Sequence, residues 1–190
     1  LNVIRNNYRN EEDLIQFIES IVHTRQIPGL SISIVKNENI VWEKQFGFAN
    51  INDEIEVNEN TMFILSSISK TITVTALMQL YEQNLFELDD DINNYLPFDI
   101  IHPIYPNTPI TFKMLLSHTS GIKDNWNVMT YYNGDSPLSL NYYLEQYLTP
   151  EGIFFNSNLN FTDSYPGSNF LYTNNGVALI GLLVEKISDQ

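Results

Sequence analysis

Cysteine is absent from the 190-residue sequence. That excludes a disulfide framework, a zinc–thiolate centre and a cysteine nucleophile. Positive charge is scarce: 9 Lys and Arg stand against 23 Asp and Glu, a formal net charge of −14. Such a balance repels phosphates, which argues against nucleic acid or an anionic membrane as partner. No apolar run approaches the ~20 residues that a membrane-spanning helix needs. Metal ligands are equally thin. His23, His102 and His118 share no ligand spacing and read as structural or surface residues. Asp89-Asp90-Asp91 begins like a calcium loop, but Asn94 stands where the sixth position needs Gly and Ile100 where the twelfth needs Glu. The expectation is a solvated acidic turn at a helix start, with no metal and no cofactor. The sequence begins at Leu1 rather than Met, so compartment and any signal peptide stay open.

What is present is a folded composition, 43% hydrophobic and 13% aromatic, too rich for a disordered chain. Residues 11–25 carry Leu14, Ile15, Phe17, Ile18, Ile21 and Val22 at the spacing of an amphipathic helix, stopped by Pro28-Gly29. Leu30, Ile32 and Ile34 alternate with polar residues. With the turn at Lys36–Asn39 and a second strand from Ile40 to Phe48, they predict a hairpin. Residues 50–60 read as an exposed loop. A helix follows from about Ser67 to Gln83, with Ile68, Ile72, Ala76, Leu77 and Leu80 as its apolar positions. Shorter helices are expected before Pro97, at Thr111–Ser117 and at 138–148, and a last amphipathic helix at Val177–Ile187. The order predicts an α+β fold. A lone hairpin is marginal by itself, and no further strand is expected before Gln190.

The candidate chemistry rests on serine. In Ser-x-x-Lys, one helical turn brings an amine beside a hydroxyl that is inert at its own pKa. The pattern occurs three times. Ser33/Lys36 falls in a strand, where the two side chains point to opposite faces, and Ser120/Lys123 straddles Gly121. Only Ser67/Lys70 lies at a helix start, where the serine's own N–H also faces outward. The bland alternative is that Ser67 is an N-cap and Lys70 a solvated first-turn residue. Tyr-x-Asn occurs as Tyr8/Asn10, Tyr105/Asn107, Tyr131/Asn133 and Tyr172/Asn174. The last follows a Pro-Gly turn and precedes a helix, a rigid setting for a phenol that a lysine could ionise. Its bland reading is a tyrosine packed under a helix start.

Phe63-Ile64-Leu65-Ser66-Ser67-Ile68-Ser69-Lys70-Thr71 resembles the nucleophile motif of the serine beta-lactamase and DD-peptidase superfamily, nearest its class C and esterase or D-aminopeptidase branch. Three more stretches are similar and in the same order: Ala76 to Pro97, Ile110 to Gly121, and Pro166 to Asn174 with the helix Val177–Lys186 after it. Together they cover nearly all of residues 11–188. The resemblance implies an antiparallel sheet flanked by helices and hydrolysis of an amide or ester through an acyl-enzyme. Lactams, D-amino-acid peptides and small esters are the substrate candidates. It implies Ser67 as nucleophile, Lys70 as its proton partner, Tyr172 as activator of the serine or the deacylating water, and Asn174 as hydrogen-bond partner of the substrate amide. It casts His118 as a loop anchor. Ser66 stands where relatives commonly have Gly or Ala.

One departure is larger. The family's third motif, Lys-Thr-Gly or His-x-Gly on a strand edge, does not occur between Tyr172 and Gln190. The expectation is that residues 1–190 are one domain lacking its C-terminal strands, the N-terminal portion of a larger protein, and inactive alone. The alternatives are a catalytically inactive scaffold of the same fold, or a carboxylate-rich module for cationic ligands. Asn160-Phe161-Thr162 is a glycosylation sequon if the chain is secreted. Oligomeric state is not legible.

Overall fold

The computed structural model describes residues 10–189. Tyr8 of the first Tyr-x-Asn pair and the terminal Gln190 lie outside them. The chain forms two compact units, Leu1–Ile64 and Leu65–Gln190.

The first unit opens with α1 (Glu11–Thr24), whose start is capped by Asn10 accepting from the Asp13 amide. Its first turn is acidic, which suits the positive end of the helix dipole. The hairpin follows as β1 (Gly29–Lys36) and β2 (Asn39–Asn50), paired antiparallel with a register shift after Ile34. α1 lies beside β2: Trp42 Nε1 donates to Glu11 Oε1 at 3.0 Å. Residues 50–60 are not wholly loop. A third, two-residue strand β3 (Ile55–Glu56) pairs with Phe48–Asn50, giving an open sheet in the order β1-β2-β3. Two residues are too short for an alternating pattern to show, so pairing rather than propensity makes this strand.

The second unit is helical. A 3-10 turn at Ser66–Ile68 runs into α2 (Ser69–Glu82). A second 3-10 turn at Ile92–Tyr95, then α3 (Phe112–Leu116), α4 (Leu140–Leu148), α5 (Ser157–Asn160) and α6 (Asn174–Ser188) complete it. α6 begins three residues earlier than its apolar pattern, because its first turn is polar. It is the central helix, with Val177, Leu179, Ile180, Leu182 and Leu183 buried. Burial nearly all round marks a helix inside a core rather than on its surface. Leu77 and Leu80 of α2, Phe112 and Leu115 of α3, and Leu144, Tyr147 and Leu148 of α4 close around it. Each such side chain contributes about 1.5–3 kcal/mol relative to exposure. Ile68 and Ile72, assigned to the apolar stripe of α2, are instead 62% and 67% exposed, because the buried stripe of α2 lies further along the helix.

The acidic run is more than a solvated turn. Asp91 caps the 3-10 turn, and Asp90 accepts the Tyr95 hydroxyl at 2.6 Å. That bond holds the Asp90 carboxyl below its usual range, while burial first and Asp90 second push the Tyr95 phenol up to about 12. Extended segments 121–123 and 160–162 pair, with Lys123 N donating to Asn160 O and Thr162 N to Gly121 O. Gly121, at φ +84°, needs its missing side chain, since a Cβ there would stand 3.0 Å from the His102 ring. Tyr147 bolts this region to α4: its hydroxyl accepts from Asn125 N at 2.7 Å and donates to Lys123 O at 2.8 Å. Asn160, the sequon residue, is fully buried; its amide donates to Tyr147 O and Phe154 O and accepts from Asn125 Nδ2. The folded chain offers it to no glycosyl group.

Tyr147→Phe removes both bonds and leaves a buried N–H unpaired. The expected cost is about 1–3 kcal/mol, read as a lower melting temperature. An unchanged melt would show that this bolt carries no stability. His102 generates a pH prediction. It is 1% exposed, and burial lowers its pKa below 6.5. Between the folded value and 6.5 the unfolded chain binds more protons, so stability is full above pH 6.5 and falls as pH drops through it. Denaturant titrations from pH 7 to 5 should show this slope, and His102→Gln should flatten it. An equal slope in both proteins would assign the acid sensitivity elsewhere.

Candidate active site

α2 starts without help. Among the described residues every other helical segment begins on a side-chain cap: Asn10, Asp91, Thr111, Ser139, Asn156 and Thr173. The Ser66–Ile68 turn and α2 have none, although Ser66, Ser67 and Ser69 are all at hand. Ser67 is therefore not an N-cap. Its exposed Oγ accepts a hydrogen bond from Lys70 Nζ at 3.2 Å, the i, i+3 contact that one helical turn allows. Ser66 holds φ +47°, a left-handed conformation that costs an L-residue roughly 1–2 kcal/mol.

Tyr172 comes to the same place from the other end of the unit. Lys70 Nζ lies 5.0 Å from the centroid of its ring. Hydrogen bonding to Lys70 first, and to Ser67 second, lowers the Tyr172 pKa below 10. The half-buried Tyr143 and the buried Tyr147 show the contrast. Burial pushes Tyr143 up to about 12 and raises Tyr147 further. Of these three phenols, only the one beside the lysine is biased towards its anion.

His118 fixes the strand-like approach to Tyr172. Its carbonyl accepts from Leu171 N at 2.8 Å, its Nδ1 accepts from Thr173 N at 3.4 Å, and its ring lies 4.7 Å from the Tyr172 ring. Burial, then the charge of Lys70, lowers its pKa, which keeps the ring neutral and Nδ1 an acceptor near pH 7. The other pattern matches are spent elsewhere. Ser120 is buried and Lys123 Nζ donates to Asn158 O. Tyr105 donates to Asp163 O, and Tyr131 is 85% exposed.

Sequence reasoning missed Asp124. This half-buried carboxylate accepts from Thr173 Oγ1, from the backbone N–H and side-chain amide of Asn174, and from the same two groups of Asn175, at 2.8–3.1 Å. It satisfies the first free amides of α6 and supplies the negative charge its N-terminus favours. Thr173 completes the start by accepting from Gly176 N. A Cβ at Gly176 would stand 2.7 Å from the Thr173 methyl, so only glycine permits that approach. Because a carboxylate can only accept, the Asn174 NH2 must face Asp124, which leaves its Oδ1 free to accept from a ligand. A lone Asp three residues after a His-Thr-Ser-Gly segment gave no signal by spacing, since its partners lie 49–51 positions away.

A shallow pocket of about 340 Å³ brings together Ser67, Lys70, Met129, Thr130 and Asn174. Among the described residues no cluster of acidic, histidine or cysteine side chains could hold a metal, and no helix is long and apolar enough to cross a membrane.

Protein flp of Staphylococcus aureus strain N315 is 24% identical over 192 residues, covering 95% of this chain and 34% of that protein. The chain thus spans about a third of the length of this curated relative. The octameric penicillin-binding protein homologue of Pyrococcus abyssi superposes with a TM-score of 0.66 at 26% identity, over 94% of this chain and 39% of that one. The D-amino acid amidase of Ochrobactrum anthropi shares the fold, with a TM-score of 0.71 at 21% identity over 94% of this chain and 45% of that one. The beta-lactamase family pattern matches residues 14–190, and the chain belongs to that family of serine hydrolases.

Proposed function

We propose that these residues form the nucleophile half of an acyl-enzyme active site that hydrolyses an amide or ester. The observation that supports it is the single cluster of Ser67 Oγ, Lys70 Nζ and the Tyr172 phenol. Tyr172 as phenolate takes the Ser67 proton while Oγ attacks the carbonyl carbon. The O–C bond forms, the carbonyl electron pair moves onto oxygen, and the Ser67 N–H is the donor this chain offers to that oxyanion. On collapse the bond to nitrogen or oxygen breaks, and Tyr172 returns the proton to the leaving group. Water then attacks the ester carbonyl while Tyr172 takes its proton; the bond to Ser67 Oγ breaks, Tyr172 returns that proton to Oγ, and the acid leaves. The Lys70 ammonium holds the phenolate throughout, and Asn174 Oδ1 accepts from a substrate N–H. The relatives include a penicillin-binding protein homologue and an amidase, which favours lactam, D-amino-acid peptide or small ester substrates. A scaffold that only binds has no need for a serine hydroxyl withheld from capping.

In the full-length protein, a fluorophosphonate or penicillin-type probe should label Ser67, and Ser67→Ala should abolish labelling and hydrolysis. Labelling that survives places the nucleophile elsewhere. The rate should rise with pH on a limb whose pKa lies below 10, the direction of the Tyr172 shift. Lys70→Met should move that limb upward, because the phenolate loses its cation. A limb that stays put would remove Tyr172 from the role of base.

Asp124 acts through Asn174 and Tyr172 as a positioning residue. Asp124→Ala leaves the first amides of α6 unpaired, at a cost of about 2 kcal/mol. The expected kinetic signature is a raised KM for substrates bearing an N–H, and little change in KM for esters without one. Equal losses on both classes would reduce Asp124 to a purely structural part.

A further inference from the structure

The sequence contains two Asn-Gly dipeptides, Asn133-Gly134 and Asn175-Gly176. In such a pair the side-chain amide is open to attack by the chain itself, because glycine puts no side chain in the way of its own nitrogen. The fold treats the two pairs differently. Asn175 is 2% exposed. Its Oδ1 accepts from the Tyr143 hydroxyl at 2.9 Å, and its Nδ2 donates to Asp124 at 3.1 Å. Gly176 N donates to Thr173 Oγ1, and both residues lie in the first turn of α6. Helical backbone angles hold the Gly176 nitrogen away from the Asn175 side-chain carbon. Asn133 belongs to a Tyr-x-Asn pair that the Ser67 cluster does not use. It lies exposed in the loop between α3 and α4. Among the described residues, neither its side chain nor the Gly134 N–H has a hydrogen-bond partner in the protein. Gly134 lies at φ +104°, and a Cβ there would meet nothing within 4 Å. The same loop supplies Met129, Thr130 and Tyr131 to the pocket that holds Ser67 and Lys70.

We propose that Asn133 is a self-modification site, whose conversion to aspartate and isoaspartate ages the mouth of the Ser67 pocket. The Gly134 nitrogen gives its proton to hydroxide and attacks Asn133 Cγ. A C–N bond forms, the Cγ–Nδ2 bond breaks, and ammonia leaves a five-membered succinimide. Water then adds to one of the two ring carbonyls, and the ring C–N bond at that carbon opens. Opening at Cγ restores the peptide and leaves an aspartate. Opening at the backbone carbonyl carries the chain on through the side chain, as isoaspartate. Water is the only co-reactant, and nothing is oxidised or reduced. Each event adds a negative charge to a chain already at −14. The isoaspartyl form also lengthens the backbone by one carbon, two residues after Tyr131. A carboxylate at this place opposes the attraction of Lys70 for an anionic substrate. The effect on turnover rests on the serine-hydrolase reading; the modification does not.

The test ages the full-length protein in mildly alkaline buffer and follows both dipeptides by peptide mapping with mass spectrometry. Isoaspartate is confirmed by labelling with a protein isoaspartyl methyltransferase. In the folded protein Asn133 should convert about tenfold or more faster than Asn175, and in urea, where the fold no longer shields Asn175, the two rates should converge. Asn133→Gln, whose longer side chain would need a six-membered ring, should remove the mass shift. Equal rates at the two sites in the folded protein, or no conversion at Asn133, overturns the proposal. A difference that persists in urea assigns it to the neighbouring sequence and overturns the part given to the fold. Turnover of an anionic and a neutral p-nitrophenyl ester is measured on the same samples. The anionic ester should lose rate relative to the neutral one in step with conversion, in the wild type and not in Asn133→Gln. Conversion that leaves this ratio unchanged overturns the effect on the mouth. Absence of hydrolysis at every age defeats the serine reading alone, and the peptide map still decides the modification.

Discussion

The site depends on one carboxylate. Asp124 gathers the Thr173 hydroxyl and the backbone and side-chain donors of Asn174 and Asn175 at the start of α6. An N-terminus of a helix leaves its first amides without internal partners. Here they are met from a loop 50 residues upstream, and the same bonds orient Asn174 and the chain just past Tyr172. The loop carrying Asp124 is itself pinned by the Tyr147 hydroxyl and the buried Asn125–Asn160 pair. The path from core to chemistry is short: α4 holds Tyr147, Tyr147 holds residues 123–125, Asp124 holds α6, and α6 begins on the residues that face Ser67.

Electrostatics then separate groups of identical chemistry. Tyr143, Tyr147 and Tyr172 lie on or beside α4 and α6, yet burial drives the first two towards permanent protonation and the Lys70 amine draws the third the other way. His102 and His118 are both kept neutral by burial, and each serves as an acceptor for backbone amides. In this unit a titratable side chain that lies deep is a fixed hydrogen-bonding part. Of the three phenols, Tyr172 alone lies beside a cation and is drawn towards its anion.

What the sequence made legible follows the range of the interactions. Ser67 and Lys70 are joined by helix geometry over three residues, and their contact could be stated from spacing alone. The α1 stripe, the hairpin and the α6 pattern are likewise local periodicities. Asp124 was invisible because its five donor groups belong to three consecutive residues far along the chain, and nothing in a lone Asp announces them. β3 was invisible because two residues have no period. The Asn160 sequon has the same limit: three residues of pattern say nothing of a side chain whose partners are Asn125, Tyr147 and Phe154. Ile72 keeps the helical spacing of the apolar stripe yet is exposed, because spacing fixes only which residues share a face and leaves open what covers it.

Several departures from local rules gather around Ser67. A sequence folds well when caps, patterning and backbone preference agree, and sites of function are where they are allowed to conflict. The start of α2 is uncapped in a serine-rich stretch, Ser66 sits at φ +47°, His118 at φ +55°, and Ile68 is exposed. Each departure costs stability by itself, and α6 and its buried neighbours make it tolerable. A capping Ser67 would turn its hydroxyl to its own helix, with Oγ as acceptor for amides two or three residues on. Withholding the cap leaves Oγ on Lys70, facing out of the fold. The strain at Ser66 and the missing cap are thus one device, in which the backbone gives up a hydrogen bond so that a serine can keep its own.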